Sequence, residues 1–147
     1  MTANQSSTHL NILLADDDMD DRFFFEKALK EIPIPTQLIT VNNGEQLMEH
    51  LLENSNQLPD LLFLDLSMPR KTGFECLSEI KENIKLKELT VIMLTTSFTR
   101  GFDLEDNLRN TLIRMGATDY IRKPDGLEEL KQAIQKAVLN LAIKPNQ

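Results

Sequence analysis

One cysteine in 147 residues, Cys76, removes two classes of architecture at once. No internal disulfide can form, and a thiolate metal site of the zinc-finger kind lacks ligands. Cys76 falls among residues of helical pattern and reads as a small core or boundary residue. Positive charge is in deficit: 16 Lys and Arg stand against 23 Asp and Glu, a formal net charge of -7. Binding a nucleic-acid backbone depends on clustered cations that release counterions, so no direct nucleic-acid partner is expected. Long apolar runs are missing too. No stretch approaches the roughly 20 apolar residues that span a bilayer, and the polar start from Met1 to His9 lacks the basic and apolar regions of a secretory signal. No membrane partner and a cytoplasmic location are therefore expected. His9 and His50 each stand without carboxylate or cysteine company and read as surface residues.

What is present fits one domain. Residues 1–9 are rich in Ser, Thr and Asn and read as a disordered lead-in, residues 10–143 as the domain, and 144–147 as a tail. The short apolar run Leu10 to Ala15 opens through Asp16, Asp17 and Asp18 onto a helical pattern carrying Phe24, Phe25, Ala28, Leu29 and Ile32. Pro33 and Pro35 stop that helix. A second strand, Gln37 to Val41, leads through Asn42, Asn43 and Gly44 into a helix with Leu47, Met48, Leu51 and Leu52 inward. The third strand drives four apolar residues, Leu61 to Leu64, into Asp65 and leaves regular structure through Pro69 and Gly73. A helix with Phe74, Leu77 and Ile80 on one face follows, then a fourth strand, Val91 to Leu94, ending in Thr95, Thr96 and Ser97. A polar segment from Phe98 to Asp106 is expected to separate this strand from a helix carrying Leu108, Leu112 and Met115 and capped by Gly116. Thr118 to Arg122 reads as a fifth strand, and a turn from Lys123 to Gly126 enters the clearest helix, striped by Leu127, Leu130, Ala133, Ile134, Ala137, Val138 and Leu141. Five repeats of strand then helix, with near-continuous apolar strands, predict an α/β fold: a parallel sheet covered on both faces.

In such a sheet functional groups gather where the strands end. Asp16 and Asp17 follow the first strand, Asp65 the third, Thr95 the fourth and Lys123 the fifth. Carboxylates, a hydroxyl and an ammonium on one rim suit a hard cation and a phosphoryl group. Mg²⁺ takes oxygen ligands in an octahedron, which fits Asp17 and Asp65 as direct ligands and Asp16 through a water. Asp65 is then placed to act as a nucleophile, with Lys123 as a point charge for the same oxygens. Asp18, Asp20 and Asp21 read as a helix cap and acidic first turn.

The four motifs LLADDD, LLFLDLSMPRKTG, VIMLTTS and GATDYIRKPDG, in that order, resemble the receiver domains of two-component response regulators over residues 10 to 141. Their wording is similar to that of the small stand-alone receivers associated with bacterial phytochromes and similar sensor kinases. The resemblance implies a flavodoxin-like (βα)5 fold with strand order 2-1-3-4-5. It implies phosphorylation of Asp65, assisted by the protein itself, by a histidine kinase or phosphotransfer protein. Asp16, Asp17, Asp65 and the Ser67 backbone carbonyl would hold Mg²⁺, and Lys123 the phosphoryl group. Thr95 corresponds to the switch hydroxyl and Tyr120 to the switch aromatic that turns inward. The resemblance also implies a cis Lys123–Pro124 bond, whereas trans is the ordinary geometry of X-Pro.

Several positions depart from the family's pattern. About six extra residues lie between Thr95 and Tyr120, placed in Phe98 to Asp106, where Phe98 and Phe102 either shape a partner surface or mark a tolerated insertion. Asp125 stands where many receivers carry an apolar residue. Ser67 and Ser97 are not strong bases, so rapid self-dephosphorylation is not expected. Output is expected through an unidentified protein target, and the second strand and last helix each offer a surface for a homodimer. Two rival readings stand beside this one: a receiver-like binding module that is never phosphorylated, and a Mg²⁺-dependent phosphatase with its aspartate nucleophile after the first strand.

Overall fold

The computed structural model describes residues 9–95 and 102–143. Five strands, β1 (Leu10–Ala15), β2 (Thr36–Val41), β3 (Leu61–Asp65), β4 (Val91–Thr95) and β5 (Asp119–Arg122), alternate with five helices, α1 (Met19–Lys30), α2 (Gly44–Glu53), α3 (Gly73–Glu82), α4 (Phe102–Arg114) and α5 (Leu127–Ile143). All strand pairs are parallel, in the order β2-β1-β3-β4-β5. This is the flavodoxin-like arrangement that the motifs imply.

Successive side chains of a strand face opposite ways, so a continuous apolar run feeds two cores. Leu13, Leu62, Leu64 and Met93 pack with Leu47, Leu51, Cys76, Leu77, Ile80 and Leu112 on one face. Ile12, Leu14, Phe63 and Leu94 pack with Phe25, Leu29, Ile134 and Val138 on the other. Phe25 meets Phe63 edge to face, ring centroids 4.9 Å apart, a geometry that adds to simple burial.

Three helix starts are fixed by side-chain caps, of which Asp18 is the one expected from the sequence. Asp18 caps α1 by accepting from the Asp21 amide, Asn43 caps α2, and Thr72 forms a reciprocal capping box with Glu75 at α3. Two expected inward residues face solvent instead. Leu52 is 50% exposed because Leu47, Met48 and Leu51 already complete the buried stripe of α2. Phe74 is 38% exposed, and Cys76 joins Leu77 and Ile80 on the inner face of α3. The expected separation of β4 from the next helix by Phe98 to Asp106 is also corrected in part. Helix α4 already starts at Phe102, inside that segment. Ser97 and residues 98–101 of that segment lie outside the described residues.

Burial pushes the Cys76 thiol up to about 12, Lys71 pulling the other way and Glu79 adding to the rise. The unfolded thiol ionises near 8.5, so this contribution to stability is complete below about pH 8.5 and is lost as pH rises from there toward the folded value. Alkylation at pH 8 is therefore expected to be slow in the native protein and fast in denaturant, and equal rates would contradict this burial.

Gly73 begins α3 where the helix meets the end of β3. A Cβ there would collide with the Asp65 carbonyl and stand 2.7 Å from Leu66 Cα. Neither backbone atom can yield without moving the strand end. Gly73→Ala is expected to cost about 3 kcal/mol, the upper end of overpacking penalties, read as a lower urea midpoint.

Candidate functional site

The register of the sheet builds the site. Ala15 lies opposite Leu64 and Asp65 opposite Leu94, so one further step along β1 sets Asp16 beside Asp65. Both carboxylates are buried, at 1% and 2% exposure, while Asp17 is exposed. One oxygen from each of Asp16, Asp17 and Asp65 lies within 4.8 Å of the others. Their mutual repulsion is answered by Lys123, which reaches over from the end of β5. Its ammonium lies 2.8 Å from Asp16, 3.0 Å from Asp21 and 3.6 Å from Asp65.

Backbone groups hold the cluster in place. The Ser67 amide donates to Asp65 Oδ1 at 3.3 Å and the Asp18 amide to Asp16 Oδ1 at 3.0 Å. Arg22 Nη1 donates to the Asp16 carbonyl at 2.8 Å, tying the first turn of α1 to the end of β1. The loop from β3 to α3 is equally constrained. Lys71 donates its amide to the Pro69 carbonyl around Arg70, whose φ of 71° is left-handed, and the Gly73 amide closes the loop on the Leu66 carbonyl. Ion pairs from Lys71 to Glu79 and from Arg70 to Glu45 fasten it to α3 and α2. The result is an open cleft of about 420 Å³ lined by Asp17, Asp18, Asp21, Asp65, Ser67, Met68, Pro69 and Lys123.

The electrostatics are unbalanced toward negative charge. Burial raises the Asp65 carboxyl to about 7, Lys123 pulls it down, and Asp16 pushes it up again. Burial alone lowers the Lys123 ammonium, but its hydrogen bond to Asp16 and the surrounding carboxylates outweigh that and hold it above the ordinary lysine range. More carboxylate than ammonium converges here, so a divalent cation fits the donor set: hard oxygen ligands, close together, short of positive charge.

Of the residues predicted from sequence, the structure brings Asp16, Asp17, Asp65, Ser67 and Lys123 together. Thr95 ends the neighbouring strand, 7% exposed, and its carbonyl accepts from the Lys123 amide at 2.8 Å. Tyr120 lies opposite Met93 on β5, 8% exposed within the core on the α2 and α3 face. Neither is among the residues lining the cleft. No peptide bond among the described residues is cis, so Lys123–Pro124 is trans, against the geometry that the resemblance implies. The reading of Asp21 as structural is incomplete. It sits in the acidic first turn of α1 and also pairs with Lys123. Its spacing was the available signal: helix side chains lean toward the N-terminus, so a carboxylate four residues after Asp17 points back over the strand end.

Comparison with known proteins agrees with this geometry. The family model described as the response regulator receiver domain matches residues 12–135. The chain is 32% identical over 138 residues to the response regulator Rcp1 of Synechocystis sp., covering 90% of this chain and 89% of that protein. It is 31% identical to the sensor histidine kinase CheAY of Helicobacter pylori over 127 residues, 86% of this chain but 15% of that one. Among solved structures, the phosphorylated cyanobacterial phytochrome response regulator RcpA superposes with a TM-score of 0.78 at 30% identity, over 94% of this chain and 97% of that chain. The Mn²⁺-bound form of Rcp1 gives 0.73 at 30% identity, over 94% and 97%. No helix among the described residues is long and apolar enough to cross a membrane.

Proposed function

Since the chain belongs to the response regulator receiver domain family, we propose that it accepts a phosphoryl group on Asp65 from a histidine kinase or histidine phosphotransfer protein. The observation that carries this reading is the convergence on Lys123 of buried Asp16, buried Asp65 and the rim carboxylate Asp21, beside exposed Asp17. An Asp65 carboxylate oxygen attacks phosphorus, the phosphorus–nitrogen bond to the donor imidazole breaks, and the imidazole, already protonated on its other ring nitrogen, leaves neutral. Asp16, Asp17, Asp65 and the Ser67 carbonyl are the residues that would hold Mg²⁺, which when bound offsets the charge of the carboxylates and of the incoming oxygens. Lys123 neutralises a phosphoryl oxygen. It must loosen its present ion pairs to do so.

The signal leaves as a population shift. Phosphorylation adds charge and acceptor oxygens beside Thr95 at the end of β4. Thr95 moves toward them, Tyr120 holds its inward position, and the face formed by α4, β5 and α5 changes what it binds. A phytochrome-like sensor kinase as donor is supported by the similarity to RcpA and Rcp1. The downstream protein is recognised by the altered face, and a homodimer is one form that output can take.

The test is direct. Incubation with Mg²⁺ and acetyl phosphate, followed by intact mass measurement, is expected to show one added phosphoryl group, and EDTA to prevent it. A chain that gains no mass from this donor or from a cognate kinase is a receiver-shaped binding module instead. The phosphatase alternative fares poorly on geometry: Asp65 lines the open cleft, whereas Asp16, its nucleophile, is not among the cleft-lining residues and holds Lys123 at 2.8 Å.

A further inference from the structure

Lys123 has two closer partners than the phosphoacceptor. Its ammonium is 2.8 Å from Asp16 and 3.0 Å from Asp21, against 3.6 Å from Asp65. Asp16 is buried at the strand end, whereas the Asp21 side chain is 45% exposed on the cleft wall, on a different element from every other carboxylate that Lys123 reaches. Asp21 is fixed in place: its amide donates to the Asp18 cap at 3.0 Å, and Arg22 ties the same turn to the Asp16 carbonyl. Lys123, Asp16 and Asp21 share with Phe24, Leu94 and Pro124 the lining of a small void of about 40 Å³.

We propose that Asp21 is a positioning residue that competes with the phosphoryl group for Lys123, and so sets how far phosphorylation of Asp65 proceeds. The inference rests on the phosphoacceptor reading given above. A phosphoryl group arriving on Asp65 must draw Lys123 away from Asp21, and it meets the Asp21 charge across the same cleft. Both effects oppose phosphorylation. Both vanish when the carboxylate becomes an amide.

The test titrates beryllofluoride, a phosphoryl mimic, into the full chain at saturating Mg²⁺ by calorimetry. Asp21→Asn and Asp21→Ala are compared with wild type and with Asp20→Asn, which removes an exposed charge from the same helical turn, at a residue outside the Lys123 ion-pair cluster. Both Asp21 variants are expected to bind about two- to fivefold tighter than Asp20→Asn, the size of one partly exposed ion pair. The difference is expected to shrink in 1 M KCl, where the screening length falls to about 3 Å; a purely structural role for Asp21 would not produce that salt dependence. Asp21 variants that bind no tighter than Asp20→Asn, or a gap insensitive to salt, overturn the proposal. A wild type that takes up neither beryllofluoride nor a phosphoryl group overturns the phosphoacceptor reading itself, which separates the two failures.

Discussion

Asp65→Asn is expected to abolish phosphoryl uptake completely and, in metal-free buffer, to raise the thermal midpoint. The first result follows from chemistry, since an amide oxygen at this position forms no stable acyl phosphate. The second follows from the charge count. Lys123 is shared by Asp16, Asp21 and Asp65, with Asp17 close by, so folding brings together more negative charge than the lysine can neutralise. Burial and the neighbouring aspartates push the Asp65 carboxyl up to about 7, which says that the folded state tolerates its charge poorly. Replacing it with an isosteric amide relieves that cost while Lys123 keeps its two nearer partners. A gain of about 2 kcal/mol is expected after discounting for water in the cleft, or roughly 4–8 °C for a chain of this size. Mg²⁺ should reverse the ranking, because it stabilises wild type by binding the folded state and finds one ligand fewer in the variant. A midpoint in EDTA at or below that of wild type would show that the carboxylates do not repel as the geometry requires.

The residues that make this site were mostly legible because they lie at the ends of strands that are themselves legible. Leu61 to Leu64 and Val91 to Leu94 are apolar without alternation, which marks strands covered on both faces, and the polar residue closing each run then marks the rim. Asp65 and Thr95 follow from that alone. The strand order does not. Periodicity gives five strands and five helices but leaves their lateral arrangement open, and here the order came from motif resemblance. Asp21 was missed for a related reason: its first duty, as an acid in the opening turn of α1, is local and explains its presence, whereas its pairing with Lys123 spans 102 positions. Local patterns report local causes. The same limit explains Leu52 and Phe74, apolar residues at near-helical spacing whose exposure depends on how much of each helix face the sheet has room to cover.

Lys123→Ala should move stability in the opposite direction to Asp65→Asn. Removing the ammonium leaves Asp16 and Asp65 buried without a cation, and breaking a buried ionic cluster from one side costs about 3–5 kcal/mol. The lower end applies, about 3 kcal/mol, because the cleft is open to water and the Asp21 partner is 45% exposed. In EDTA the variant is expected to melt well below wild type. Mg²⁺ should recover much of the loss, since the cation and the ammonium neutralise the same carboxylates, so the variant gains more from Mg²⁺ than wild type does. Phosphoryl uptake should still fall, because the cation cannot replace the ammonium on the oxygen that Lys123 would hold. The double variant Lys123→Ala with Asp65→Asn separates charge balance from packing: if the cluster is governed by excess negative charge, removing one carboxylate offsets part of the loss of the lysine, and the two effects are non-additive as contacting charges require. Strict additivity, or a single Lys123→Ala variant as stable as wild type in EDTA, would mean that the ion pairs at 2.8 and 3.0 Å contribute nothing net and that the stability of this rim comes from its backbone bonds alone.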